Sequence, residues 1–264
     1  MADLNPQGWA ESLLHYLQHH PPQVPIIPNP PQITTSTRNR QYSAFDITHL
    51  GHSVQFNLNT ILEQYNVLLR TTPINNNPMP LSSPRPNNSG MGLRRRIIIY
   101  LERLVQCSLQ SIFNQPRKSD RLEGYTILDF EEGELAQVIE DYKPDTSFYD
   151  TVANLLNRPN RLPGEIKPSY TWSTALNILG PGRKFEFKQV LSQLNWYMKQ
   201  HQAKYGFLLT DRELVAVKRL DGQGKLELSG SIPWDIHGSE DQPRLTVLLA
   251  LWYLGMLAAN DQDW

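Results

Sequence analysis

The chain has 264 residues, a length that can bury an α/β core and still carry a tail. Its 39% hydrophobic content and 20 prolines indicate that part of this length is not packed. The 25 basic and 26 acidic side chains nearly balance, which argues against a strongly basic nucleic-acid coat protein but not against an enzyme with a local basic rim.

Cysteine usage and the N-terminal sequence bear on the compartment. The only cysteine, Cys107, excludes an intramolecular disulfide and a multi-cysteine zinc site, and it fits a reducing environment. The first residues lack the basic and apolar regions of a signal peptide. We therefore expect an intracellular protein, nuclear or cytoplasmic.

The first third of the chain alternates between Pro-rich and helical patterns. Residues 1–45 are rich in Pro, Gln and Asn, which predicts a disordered tail or an arm that orders on contact with a protein partner. Apolar spacing over 46–70 predicts an accessory helix. Residues 71–92 form a second stretch rich in Pro, Asn and Ser, which predicts a flexible linker.

From residue 93 to 264 the patterns predict one α/β domain. Helical spacing covers 93–113 and 185–202. The strand candidates are 125–130, 146–149, 162–166, 205–209, 214–217 and 226–232, and the fourth and fifth are predicted to form a hairpin. The closing segment 245–259 is apolar nearly all round but shorter than a membrane span, so we expect a buried helix and no membrane association.

Two carboxylates and an amine stand on neighbouring predicted strands. Pro144-Asp145 precedes Glu165-Ile166-Lys167, and in an extended segment Glu165 and Lys167 point to one face while Ile166 points into the core. Carboxylates bind Mg²⁺, and a lysine beside the ion can orient water and neutralise developing charge. This set is what metal-assisted phosphodiester cleavage requires.

The same residues carry a family resemblance. Pro144-Asp145 with Glu165-Ile166-Lys167 resembles the signature of the PD-(D/E)XK nuclease superfamily. Gln193 and Tyr197, four apart on a predicted helix, resemble the Q-x-x-x-Y motif of its RecB-type members.

The resemblance extends over about residues 93–217. The stretches 162–172 and 205–215 are similar to uncharacterised fungal proteins of this nuclease-like class. The resemblance implies a restriction-endonuclease-like fold, in which a mixed central sheet is flanked by helices. This nuclease-like domain would span 93–264, behind the N-terminal extension.

The resemblance also implies roles for individual residues. Asp145, Glu165 and the backbone carbonyl of Ile166 would ligate Mg²⁺ or Mn²⁺, and Lys167 would orient or activate water. The resemblance therefore implies a metal-dependent nuclease that acts on DNA in preference to RNA.

Three further roles follow from the resemblance. Gln193 and Tyr197 would steady the site or contact phosphate. Many members carry a glutamate on the helix before the first strand, for which Glu102 is the candidate here, with Glu132 and Glu134 as alternatives. The basic run 94–96 on the same predicted helix would contact phosphate or pair with carboxylates.

Other interpretations stay open. The balanced charge and long N-terminal extension also fit a catalytically silent nuclease-like module that binds partners in an assembly. A small-molecule enzyme on a reused nuclease fold is a third hypothesis. The pairs His15/His19 and His49/His52 have helical metal-ligand spacing, and Trp172 is a candidate for base contact.

Overall fold

A computed structural model describes residues 10–25, 38–75, 86, 89–113 and 122–264 of the chain. These residues form five α-helices, namely α1 (Leu13–Leu17), α2 (Leu58–Thr71), α3 (Gly90–Phe113), α4 (Pro181–Gln200) and α5 (Val247–Ala259). They also form ten strands, namely β1 (Ala10–Ser12), β2 (His49–His52), β3 (Pro73–Asn75), β4 (Leu128–Glu132), β5 (Thr146–Asp150), β6 (Gly164–Ile166), β7 (Tyr205–Leu209), β8 (Glu213–Arg219), β9 (Lys225–Leu228) and β10 (Ile232–Pro233). The predicted α/β class is confirmed.

A mixed sheet of eight described strands forms the centre of the fold. Its order is β2-β9-β8-β7-β6-β5-β4, with β10 paired to β8. Strands β4, β5 and β6 form an antiparallel meander, and β6 runs parallel to β7. A parallel pair needs a crossover connection, which α4 provides. Strands β7 and β8 form the predicted antiparallel hairpin.

Helices cover both faces of this sheet because side chains alternate along each strand. On β7, Phe207 packs into the core shared with α3 and α5, whereas Leu208 packs into the core shared with α4. Helix α5 is buried nearly all round, as its apolar sequence predicts. Among the described residues, no helix combines the length and apolarity needed to cross a membrane.

Part of the predicted N-terminal tail is packed into the fold. Leu13, Leu14 and Leu17 of α1 are buried against α3 and α5. Thr246 donates its hydroxyl to the Leu17 carbonyl at 2.5 Å, and Trp234 Nε1 donates to the Pro22 carbonyl at 3.0 Å. Five helical residues are too few to give a clear periodic signal, so the composition of residues 1–45 predicts a tail instead. Residues 1–9 and 26–37 lie outside the described residues.

The segments 46–70 and 71–92 also differ from their predictions. The helix begins only at Leu58, since Asn57 caps it by accepting the Thr60 N–H at 3.0 Å, and β2 precedes it. Strand β2 pairs with β9 and so joins the main sheet. Strand β3 starts the predicted linker and pairs with β1, while 76–85 and 87–88 lie outside the described residues.

Gly164 lies where β5, β6 and β7 meet, paired with Thr146 and Phe207. A Cβ atom there would overlap the Phe207 ring and the Thr146 hydroxyl. We expect Gly164→Ala to lower the free energy of unfolding by about 1–3 kcal/mol, since overpacking forces neighbouring groups to shift. The measurement is urea unfolding followed by circular dichroism.

Gly182→Ala is the matched control for this substitution. Gly182 is the second residue of α4, and a Cβ atom there meets nothing within 4 Å. Alanine favours the helix, so the control should be neutral or slightly stabilising. Equal unfolding midpoints for Gly164→Ala and Gly182→Ala would contradict the close approach at Gly164.

Candidate functional site

The motif carboxylates meet where β5 and β6 pair. The two strands are antiparallel, and Thr146 pairs with Gly164. Asp145, which precedes Thr146, therefore lies opposite Glu165, which follows Gly164. The Ile166 N–H donates to Asp145 Oδ2 at 2.8 Å. This hydrogen bond fixes the Asp145 side chain against the strand that carries Glu165.

Lys167 follows directly after β6 and lies beside Glu165. Its Nζ is 2.6 Å from Glu165 Oε2, so the two side chains share a face, as their spacing predicts. Ile166, between them, is buried in the core on the opposite side of the sheet. The Lys167 N–H donates to the Leu209 carbonyl at 2.9 Å, which ties this residue to β7.

Burial and charge set the protonation of this pair. Glu165 is only 1% exposed, and burial raises the pKa of its carboxyl; the nearby Asp145 raises it further, against the opposing effect of Lys167. Burial lowers the pKa of the Lys167 ammonium, but the Glu165 and Asp145 carboxylates outweigh it, so its pKa lies above the ordinary value. Lys167 therefore carries its charge at neutral pH.

Helix α3 adds a second cation to the site. Arg94 Nη1 lies 3.1 Å from Asp145 Oδ1. Arg94 belongs to the basic run 94–96, for which the sequence left phosphate contact and carboxylate pairing open. The structure places it on Asp145, so each carboxylate has a cationic partner.

Gln193 and Tyr197 of α4 also face this group. Gln193 Nε2 donates to Tyr197 Oη at 3.3 Å, and both side chains are buried. Burial raises the pKa of the Tyr197 phenol, and the charges of Glu165 and Asp145 raise it further. These effects place the Tyr197 hydroxyl within electrostatic reach of both carboxylates, as a protonated donor.

Tyr42 is a member of the site that the sequence analysis missed. It is buried, and burial raises the pKa of its phenol; Glu165 raises it further, whereas Lys167 lowers it. Its side chain hydrogen-bonds Asn39, whose Oδ1 accepts the Tyr142 hydroxyl at 3.1 Å. The Tyr42 phenol is thus within electrostatic reach of the Glu165–Lys167 pair.

The backbone after Tyr42 is anchored on α4. The Ala44 N–H donates to Gln189 Oε1 at 3.0 Å. Ser43 and Asp46 form a capping box, in which the Ser43 N–H donates to Asp46 Oδ2 at 2.7 Å. This local pattern signals an ordered turn within the predicted tail, but nothing in the sequence connects it to Glu165.

The three glutamate candidates are Glu102 on α3, Glu132 at the end of β4 and Glu134 in the turn after it, and other charged groups act on them. Burial raises the pKa of Glu102, and the carboxylates that raise it further are Glu132 and Asp129 of β4. Glu134 pairs with Lys143 at 3.0 Å. The charges that act on Glu102 are thus those of β4 rather than Asp145 or Glu165, and Glu134 is paired with Lys143.

Two alternative site predictions are corrected by the structure. Trp172 is fully buried and stacks on Phe187, with ring centroids 5.3 Å apart, so it presents no face to a base. His49 and His52 lie on strand β2 rather than on a helix, and a three-residue spacing on a strand points to opposite faces. In the other histidine pair, His15/His19, the Nε2 atom of His15 lies 3.3 Å from Glu11 Oε2.

The side chains of Asp145 and Glu165 are suited to bind a divalent cation. They offer hard oxygen ligands, and Mg²⁺ retains several waters, so two carboxylates can hold it. The mutual repulsion that raises the pKa of Glu165 would be relieved by a cation shared between them. Within the described ranges, no three His, Cys, Asp or Glu side chains group around a common metal position.

Comparisons with protein-family profiles, curated proteins and solved structures find no match to this chain.

Removing Lys167 would leave the buried Glu165 carboxylate without its cation. We expect Lys167→Met to lower the free energy of unfolding by about 3 kcal/mol at pH 8. The folded-state pKa of Glu165 is raised above its unfolded value, so its contribution to stability is present at low pH and is lost as pH rises. The penalty should therefore shrink at pH 5, as measured by urea unfolding at both values.

Two variants control this experiment. Adding Glu165→Gln to Lys167→Met removes the buried charge, so the double variant should recover stability at pH 8. Lys225→Met breaks an exposed ion pair with Asp221, of 3.3 Å, and should change stability by less than about 1 kcal/mol. A pH-independent penalty in Lys167→Met would contradict the assigned charge of Glu165.

Proposed function

We propose that the chain is a metal-dependent nuclease of the PD-(D/E)XK type, which hydrolyses phosphodiester bonds in DNA in preference to RNA. The observation that carries this proposal is the opposition of Asp145 and Glu165 across the β5–β6 pair, with Lys167 on Glu165. Two carboxylates and an amine at one sheet position are the groups that this chemistry requires.

The arrangement of elements supports the same proposal. The carboxylate-bearing strands β5 and β6 are neighbours in a mixed sheet, and α4 follows them and carries Gln193 and Tyr197. This is the order that the sequence resemblance implies. The Tyr197 hydroxyl within reach of Glu165 gives the Q-x-x-x-Y resemblance a physical role at the site.

Asp145 and Glu165 would hold Mg²⁺ or Mn²⁺, with the Ile166 carbonyl as a further ligand. When bound, the ion supplies a Lewis acid and lowers the pKa of a coordinated water. Lys167, positively charged beside Glu165, would orient the attacking water and stabilise charge that develops on the phosphate.

Arg94, Tyr42 and Tyr197 would act on the substrate side of the site. Arg94 is about one-third exposed and can exchange its Asp145 partner for a phosphate oxygen, to which a guanidinium binds strongly. The two phenols keep their protons, since their pKa values are raised, and can donate hydrogen bonds to phosphate or water.

A second candidate function rests on the ion pairs themselves. Asp145 and Glu165 already have cationic partners in Arg94 and Lys167, so their charges are compensated without a metal ion. This favours the alternative of a catalytically silent nuclease-like module that binds a protein partner. Metal binding and turnover distinguish the two functions.

The proposal predicts metal-dependent cleavage of labelled DNA that Asp145→Asn and Lys167→Ala each reduce at least about 100-fold. Asp221→Asn, an exposed carboxylate paired with Lys225, is the control and should cleave like the wild type. Electrophoresis of single-stranded and duplex DNA and of RNA, with Mg²⁺, Mn²⁺ or EDTA, measures the outcome. A folded wild type that cuts no substrate would favour the silent module.

The proposal also predicts Mn²⁺ binding that Asp145→Asn weakens at least about tenfold, because one of two charged ligands is lost. Calorimetry with and without a hydrolysis-resistant phosphorothioate strand measures this binding directly. Glu102→Gln should leave it unchanged, since the carboxylates that act on Glu102 are Glu132 and Asp129 of β4 rather than Asp145 or Glu165. An equal loss in Glu102→Gln would instead make Glu102 a ligand and contradict this assignment.

A further inference from the structure

An exposed aromatic pair stands at the N-terminal end of α4. The rings of Phe45 and Phe185 have centroids 5.6 Å apart in an edge-to-face arrangement, and Phe45 is 82% exposed. The guanidinium carbon of Arg38 lies 5.8 Å from the centroid of the Phe185 ring. We call Arg38, Phe45 and Phe185, together with the exposed Lys184, the aromatic platform.

The aromatic platform is built on the same helix stripe as the proposed active site. Phe185, Gln189, Gln193 and Tyr197 are spaced four residues apart along α4, so each is next to the following one on a stripe that winds slowly around the helix. Segment 42–45 runs beside this stripe, because Ala44 is bonded to Gln189 and Phe45 packs on Phe185. One end of the segment is therefore within electrostatic reach of Glu165, and the other lies at the aromatic platform.

The distance between Tyr42 and Phe45 suits a nucleic-acid strand. Tyr42 and Phe45 are three positions apart in the chain, so their Cα atoms are at most about 11 Å apart. Stacked nucleotides rise about 3.4 Å each along one strand, so this distance corresponds to roughly three nucleotides. A strand whose phosphate reaches the Tyr42 phenol can thus place a base on Phe45.

The charges around the rings favour a polyanion on balance. Lys184 and Lys188 lie four residues apart beside the stripe, and the first turn of α4 contains no acidic residue. The N-terminal end of a helix also carries partial positive charge. Against these, Glu186 lies 3.7 Å from Arg38 and offsets part of its charge, and the exposed Asp46 follows Phe45 directly.

We infer that the aromatic platform binds an unpaired base of a single-stranded nucleic acid whose backbone runs to the Asp145–Glu165–Lys167 site. Paired bases are stacked within a duplex and hide their faces, whereas an unpaired base can stack on an exposed phenyl ring. The inference deepens the proposed function and rests on it, since it names single strands as the form of substrate.

The test is fluorescence anisotropy of the full chain in EDTA, with fluorescein-labelled dT12 and a labelled hairpin duplex as probes. We expect tighter binding of dT12 than of the duplex. Phe45→Ala should weaken dT12 binding about tenfold, the effect of one lost stacking contact, and leave duplex binding unchanged. Phe45→Trp should retain dT12 binding, because indole provides a larger stacking face.

Val152→Ala is the matched control, since Val152 is 83% exposed and follows β5 at the end opposite Asp145. It should bind dT12 like the wild type. Equal dT12 affinity in Phe45→Ala and Val152→Ala would overturn the inference, as would duplex binding that equals single-strand binding. Light scattering that detects a Phe45-dependent dimer without DNA would also overturn it, by assigning the rings to a second copy.

Failure of the inference differs from failure of the proposed function. A chain that cleaves DNA but binds dT12 independently of Phe45 loses only the aromatic platform. A chain that binds dT12 through Phe45 but neither binds Mn²⁺ nor cuts DNA loses the nuclease function and keeps the base contact.

Discussion

The burial of the Glu165 carboxylate is the constraint on which the arrangement of the site depends. A charged carboxylate with 1% exposure is costly unless a cation or a proton compensates it. Lys167 supplies the cation from the same strand face, and Tyr197 and Tyr42 surround the pair with groups that stay neutral. Because Gly164 has no side chain, the strand can approach β5 and β7 closely enough to bury its neighbour.

Helix α4 transmits this local constraint to the N-terminal part of the chain. Its four-residue spacing presents Gln189 to Ala44 and Tyr197 to the carboxylates from one face. The segment that carries Tyr42 therefore belongs to the site, although more than a third of the described chain lies between it and Glu165 in sequence. After this segment the chain continues into β2, which pairs with β9 at the edge of the sheet and so anchors it.

The sequence predicts best those elements whose pattern is long or repeated. Helices α3, α4 and α5 have 24, 20 and 13 residues, long enough for apolar spacing to be recognised. It also predicts that Glu165 and Lys167 share a face, since that follows from strand geometry alone. It cannot predict that Arg94 pairs with Asp145, that Tyr42 acts electrostatically on Lys167 or that acids of β4 act on Glu102, because packing brings these distant segments together.

The ion pairs also bear on how a metal ion and a phosphate would bind at the proposed site. With both carboxylates ionised, Asp145 and Glu165 are balanced by Arg94 and Lys167, so a divalent ion alone would give the site a net positive charge. A phosphodiester brings a negative charge that Arg94 can accept, which frees Asp145 for the metal. Each ligand would therefore strengthen the binding of the other, and thermodynamic linkage requires that coupling to be reciprocal. The same four side chains would therefore favour metal binding most strongly when the substrate binds with it.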